Sequence, residues 1–460
     1  MKLWLRKLLH IDREYTIIGT IIKRDGLGRL FFVGKRSGGT VRTTLIRCGK
    51  LFDGIREELQ PGMEILVKDN RIEMVGKNLP VGEECRVVDL SDKTVTPGMI
   101  DAHVHADAFD NDKMFMETIF ASSTYRALGT LHTLQHALRR GFTSIRVPGT
   151  IEPFDYGIAD VARSIERGYF DGARLVYSFG ALGTPGGHTD LSQRLYQNPL
   201  LAELYTSKVQ GLGNGADFFR GAVRQQVKYG AQFIKIMASG GFASPNDSPE
   251  DKQLTDEEFA AIIDTAHALG KPCTAHVYAP YVMQCLLDLG IDGMEHGSLM
   301  DEETAERFEK SGTYLVPTFL PYDEIVHPDE EKLAKKEPGF QQKLRIYQKR
   351  LQDSREIIRK SNIRLGYGTD LVAVYQPYEN GREYACWLRS GMDPFRALKA
   401  ATSVNAQILG LDQVGTIEPG KLADIAAWNR DLLTDENALL DCAFVMKDGV
   451  EYETECGLDG

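Results

Sequence analysis

Between His105 and Asp370 the sequence alternates, unit after unit, between a helical stretch and a compact apolar run, a rhythm that few architectures accept. Helix-like LGTLHTLQHALRRG leads to strand-like FTSIRVPG, GIADVARSIERG to ARLVYSFGALG, and FFRGAVRQQVKYG to AQFIKIMASGG. TDEEFAAIIDTAHALG then leads to KPCTAHVYA, YVMQCLLDLG to IDGMEHGS, and DEETAERFEKSG to TYLVPTF. A long charged helical segment, Lys335 to Asn362, precedes IRLGYGTDL. Counting GMIDAHVH as the first, eight strands are separated by helices, many of them closed by a Gly that suits a left-handed cap. Eight β/α units predict an α/β fold, a (β/α)8 TIM barrel over residues 97–411. Counting alone leaves an open, doubly wound sheet as the alternative.

The flanks follow a different pattern. Residues 1–96 hold short β-rich runs such as YTIIGTIIKRD, RLFFVGKR, TTLIRCGKLFDG and MEILVKDNRIEMVG, broken by Gly, Asp and Asn turns. Residues 412–460 return to β character in GTIEPGKLADIAAWNRDLL and CAFVMKDGVEY. Together they predict a small β-sandwich domain formed by both chain ends.

Several function classes drop out on composition. Net charge is -11 and no Lys/Arg block is dense enough for a nucleic-acid surface. No run of some twenty apolar residues exists to span a membrane. The start, MKLWLRKLLHIDREY, lacks the sustained apolar core and small-residue cleavage site of a signal peptide. Seven cysteines, an odd number without a CxxC pair, argue against a disulfide framework and for a reducing compartment. A cytoplasmic enzyme acting on a small molecule is the expectation, with no nucleic-acid or membrane partner.

Chemistry concentrates at the strand ends. In TPGMIDAHVH, His103 and His105 stand two residues apart, so in a strand both imidazoles face one side. In a barrel of this kind the reacting groups sit at the C-terminal ends of the strands. There the sequence places His103 and His105 on the first strand, Lys235 on the fourth, His276 on the fifth, His296 on the sixth and Asp370 on the eighth. That convergence suits a metal site assembled from five strands. Taken singly, Lys235 would be a solvated lysine, Asp370 a helix cap and Tyr278 a packing residue. The pair in HTLQH, His132 and His136, has zinc-protease spacing but Thr133 in place of the glutamate, which leaves a surface or packing role.

PGMIDAHVH, FIKIMASGG, TAHVYAP, GMEHGS and GYGTD, in that order, resemble the amidohydrolase superfamily of metal-dependent hydrolases, over nearly the whole chain. ASGGFASPNDSP, LTDEEFAAIIDTAHALGKP and GGHTD are similar to its imidazolonepropionase-like and prolidase-like (Xaa-Pro dipeptidase-related) branch. The resemblance implies two divalent metal ions, zinc or else cobalt or manganese. His103, His105 and Asp370 would hold the more buried ion and His276 and His296 the other. Lys235, carboxylated by CO2, would bridge both as a carbamate, because an ammonium has no lone pair to offer a cation. A hydroxide shared by the metals would attack the amide, with Asp370 as general base and then acid. Tyr278 resembles the tyrosine that hydrogen-bonds the developing oxyanion, and His188 of GGHTD would meet the polar end of the substrate.

Departures from the family pattern bear on the substrate. The fifth strand reads His276-Val277-Tyr278-Ala279, without the His-x-x-Glu shuttle of the deaminases, and the same gap beside Lys235 argues against a true imidazolonepropionase. SIRVPG has Val147 where an Arg-Asp pair is common, leaving Arg146 without that neighbour. The expected reaction is hydrolysis of a dipeptide or N-acyl amino acid. Hydrolysis of a carbamate, urea or small xenobiotic amide is the alternative, and a non-catalytic scaffold is the remote one. The charged 335–362 segment is most simply a solvated helix face, long enough to overhang the site or to support a homo-oligomer contact.

Overall fold

A computed structural model describes residues 42–108, 121–151, 156–195, 197–206, 211–371 and 376–457. It also gives the backbone of three short strands, Thr16–Ile17, Thr20–Arg24 and Leu30–Gly34, within the N-terminal runs read as β. The signal-peptide reading falls on residues 1–15, outside the described residues.

Eight parallel strands carry the central region: β1 (Met99–Asp101), β2 (Phe142–Val147), β3 (Arg174–Tyr177), β4 (Ile234–Met237), β5 (Cys273–Val277), β6 (Gly293–His296), β7 (Tyr314–Val316) and β8 (Arg364–Leu365). Every residue of β2 and of β5 is buried, as strands covered on both faces require. The helices between them start and stop on local chemistry. Thr255 and Glu258 form a capping box at the head of Asp256–Ala268, and Ala216–Tyr229 ends on Gly230 in the left-handed region.

These strands form two ladders, β3-β2-β1 and β4-β5-β6-β7-β8, rather than one continuous eight-strand ladder among the described residues. Single parallel bridges join them at both seams: Leu182, past β3, to Ile236, and Val104, past β1, to Leu371, past β8. Met237 donates its N–H to Leu182 at 2.8 Å, and Asp370 donates to His103 at 2.7 Å. The ladder thins where the chain turns towards the site, for His296 and Asp370 both take positive φ, 71° and 50°. His103 and His105 accordingly lie just beyond the end of β1 rather than within it.

Strands from the two flanks, between residues 43 and 97 and between 425 and 452, share one eight-stranded mixed sheet rather than two stacked sheets. Its order runs Val450–Tyr452, Cys442–Lys447, Ile425–Trp428, Arg86–Pro97, Thr43–Leu51, Glu64–Lys68 and Arg71–Gly76, with Gln60–Pro61 beside Thr43–Leu51. Ile46, Leu51, Ile65, Val95, Ile425 and Phe444 share its apolar cluster. The three N-terminal strands form a separate sheet. Strand Arg86–Pro97 feeds β1 through Gly98 alone, where a Cβ would fall 2.3 Å from Thr143 Oγ1. The composite sheet therefore sets the entry to the first strand that leads to the paired histidines. Among the described residues, no helix is long and apolar enough to cross a membrane.

Candidate metal centre

Beyond β1, the His103 ring is buried with Nδ1 2.8 Å from Glu295 Oε2. The Arg146 guanidinium and other nearby cations hold the Glu295 carboxyl well below its usual range despite burial, so Nδ1–H of His103 donates to it. His105 Nδ1 lies 3.1 Å from the Gly149 carbonyl, which can only accept. With Nδ1 so engaged on each ring, both Nε2 atoms face inward. Those atoms lie 3.4 Å (His103) and 3.2 Å (His105) from one oxygen, Asp370 Oδ1.

Acceptors facing one carboxylate at that range call for a proton or a cation between them. Without a cation the proton does this: burial pushes His105 down, but the Asp370 carboxylate lifts it overall. Asp370 is in turn held well below the carboxylate range by His103, His105 and His296, against the opposing effect of burial. His296 Nδ1 stands 2.7 Å from Thr318 Oγ1 and 3.9 Å from Asp370 Oδ2. The ligand atoms of His103, His296 and Asp370 lie within 4.8 Å of one another. His276 joins them through its ring, 4.6 Å from that of His296, and its Nε2 is buried without a hydrogen-bond partner. Burial holds His276 and His296 well below the usual imidazole range, which leaves neutral rings with lone pairs.

Lys235 lies on β4, fully buried, with no carboxylate within 4 Å of Nζ among the described residues. Burial pulls its ammonium down to about 8. Gly149, whose φ of 103° favours glycine, lies beside this side chain. The donor set fits divalent metal: neutral imidazoles, a carboxylate and a buried amine converge, and one imidazole nitrogen is orphaned.

Tyr278 stacks on the His296 ring at 5.2 Å, and its hydroxyl hydrogen-bonds that of Tyr322. His188, in the loop after β3, stacks on His276 at 4.3 Å and places Nδ1 2.7 Å from Ser244 Oγ. Burial lowers His188 to about 4. His132 and His136 lie together on helix Ser123–Arg139, and His136 Nδ1 meets Glu455 at 2.5 Å, away from this centre.

Three contributors were given no role at the centre from the sequence. Glu295 accepts from Arg146 at 2.5 Å and Thr274 at 2.7 Å, besides His103. Arg146, which lacks the customary neighbour on its own strand, thus finds its carboxylate across the sheet. Tyr322 follows β7 in a short turn, whose Leu320 N–H is fixed by buried Glu383 at 2.7 Å. A charge inside a short apolar strand, as in GMEH or FTSIRV, was the available signal for the first two.

A parallel-stranded α/β frame with histidines, a lysine and an aspartate at its strand ends defines an α/β protein with a candidate metal centre. Residues 94–453 match the family described as "Amidohydrolase family", and the chain belongs to it. It is a hydrolase acting on C–N bonds, as its relatives' activities indicate. Ochratoxinase of Aspergillus niger is 28% identical over 418 residues, covering 86% of this chain and 82% of that protein. A crystal structure of a Xaa-Pro dipeptidase with methionine bound in its active site superposes with a TM-score of 0.77 at 28% identity, covering 89% of this chain and 100% of the other. A prolidase complexed with N-methylphosphonate-L-proline gives a TM-score of 0.78 at 28% identity, over 90% and 100% of the two chains.

Proposed function

We propose that this chain is a binuclear metal-dependent amidohydrolase that cleaves the amide bond of a dipeptide or N-acyl amino acid. One observation carries the metal reading. Nε2 of His103 and Nε2 of His105 face a single Asp370 oxygen while His276 keeps an orphaned nitrogen, an arrangement that bound cations would satisfy. His103, His105 and Asp370 would hold one ion, His276 and His296 the other, and Lys235 both, as its CO2-derived carbamate. Carboxylation needs a neutral amine, and an amine lowered to about 8 is partly neutral near pH 7. Bound zinc, or cobalt or manganese, would supply an activated water and polarise the scissile carbonyl. Asp370 Oδ1, already facing two imidazoles, accepts the proton of the attacking water and returns it to the leaving nitrogen. The Tyr278 hydroxyl donates to the developing oxyanion. His188, beside His276, meets the substrate's polar end.

The two ladders, bridged at both seams, are read as the eight strands of one (β/α)8 barrel around this site. All seven cysteines are free, which suits a cytoplasmic setting.

The prolidase-like relatives support the dipeptide reading. The ochratoxinase relative, whose name denotes action on a toxin, favours the second reading, a small xenobiotic substrate. The test is a hydrolysis screen of metal-reconstituted protein with bicarbonate present. It sets dipeptides and N-acyl amino acids beside blocked amides, carbamates and aryl ureas. Turnover of dipeptides with one preferred C-terminal side chain supports the first reading. Turnover confined to the blocked amides, carbamates or ureas replaces it with the second.

A further inference from the structure

Three of the four histidines at the centre carry a hydrogen bond on the ring: His103 to Glu295 at 2.8 Å, His105 to Gly149 at 3.1 Å and His296 to Thr318 at 2.7 Å. Such outer bonds fix the tautomer and plane of a metal-ligating imidazole. His276 has none to a described residue, and its Nε2 is buried without a partner. Its ring is held by packing, stacked on His188 with 19° between planes and met edge-on by Tyr278 and His296.

What then holds His188? The Ser244 hydroxyl has one proton, and it goes to the Asp247 carboxylate, which can only accept. Ser244 Oγ must therefore accept from Nδ1–H of His188, at 2.7 Å, which sets the ring's tautomer. Gln253 clamps the other side, donating to Asp247 at 2.9 Å and accepting the His188 N–H at 2.9 Å. Gly241 makes room, because a Cβ there would fall 2.0 Å from His188 Cε1.

The loop bearing Ser244 and Asp247 is pinned from outside. Lys343, on helix Pro338–Lys360, places Nζ 2.8 Å from the Gly241 carbonyl, 2.6 Å from that of Ser244 and 2.5 Å from that of Asp247. The Asp247 carboxylate lies 3.3 Å from the same ammonium. Three carbonyls and a carboxylate around one part-buried cation make a built socket.

We propose that Lys343 is a positioning residue for His276, acting through Asp247, Ser244 and His188, and that this relay replaces the hydrogen bond His276 lacks. The proposal rests on the binuclear reading above. Its test uses Lys343→Met and Ser244→Ala in the full chain, with metal affinities read by competition against chelators of graded strength. Both variants should keep the tighter site and loosen the second by about 10–100-fold. Wild-type affinity at both sites in both variants overturns the relay. If Lys343→Met does not fold, Ser244→Ala, which leaves the ammonium and its carbonyls in place, carries the test.

Nitrogen NMR of histidine-labelled, metal-free protein reads the relay with no metal present. His188 should show a hydrogen-bonded Nδ1–H that Ser244→Ala removes, and a wild-type ring bare at Nδ1 overturns the inference even if two metals bind. A wild-type chain that binds a single metal defeats the binuclear reading instead, and the spectra then decide the relay alone.

Discussion

Glu295 accepts hydrogen bonds from Arg146, Thr274 and His103 in a place sealed from water. Replacing it with Gln leaves the Arg146 charge uncompensated, a loss of about 3–5 kcal/mol for a broken buried pair. It also frees the His103 ring, so metal affinity should fall about 10–100-fold. Denaturant unfolding and metal titration of Glu295→Gln check both. Tyr278→Phe removes a donor while keeping the ring that stacks on His296, so kcat should drop about 100-fold or more with KM little moved. A change confined to KM would take Tyr278 out of the oxyanion role. The candidate ligands were legible one by one, because strand-end position and residue type are local properties. Glu295, Tyr322 and Lys343 were not, since each is defined by a partner on another element.

The long helix Pro338–Lys360 illustrates the same boundary at the next scale. Its charges read as a solvated face, and much of it is one. Leu344, Leu351 and Ile358, seven residues apart, form a buried stripe along it. Arg355 could not be sorted by pattern: it turns inward to Asp323 at 2.7 Å, which Arg389 also approaches at 2.5 Å. Burial would raise the Asp323 carboxyl, yet His327 and the two guanidiniums hold it well below the usual carboxylate range. A depressed folded-state pKa adds stability that is fully present above the unfolded value of about 3.9 and is lost as pH falls below it. Asp323→Asn should therefore cost about 3 kcal/mol at pH 7 and show a flatter acid limb than the parent. Melting temperatures of both proteins from neutral to acid pH would show it, and parallel curves would contradict it.

At the scale of the molecule, the chain ends fold together and hold the frame that carries the centre. Ile425–Trp428 lies between Cys442–Lys447 and Arg86–Pro97, and the latter runs straight into β1. Trp428, wholly buried, donates to Thr96 Oγ1 at 3.0 Å. Trp428→Ala should cost about 3–5 kcal/mol, measured by denaturant unfolding. That both flanks hold β-strands was legible from composition and turns; that strands of the two flanks share one sheet rather than two stacked ones was not. The parallel pairing of Thr43–Leu51 with Arg86–Pro97 was not, because register depends on which strand arrives alongside. The proposed link between metal and turnover runs through one buried amine. Its most direct test compares metal content and amide hydrolysis of wild type and Lys235→Ala, both reconstituted with bicarbonate. Two metal ions and turnover are expected in the parent, with both sharply reduced in the variant. Equal turnover by Lys235→Ala would contradict it.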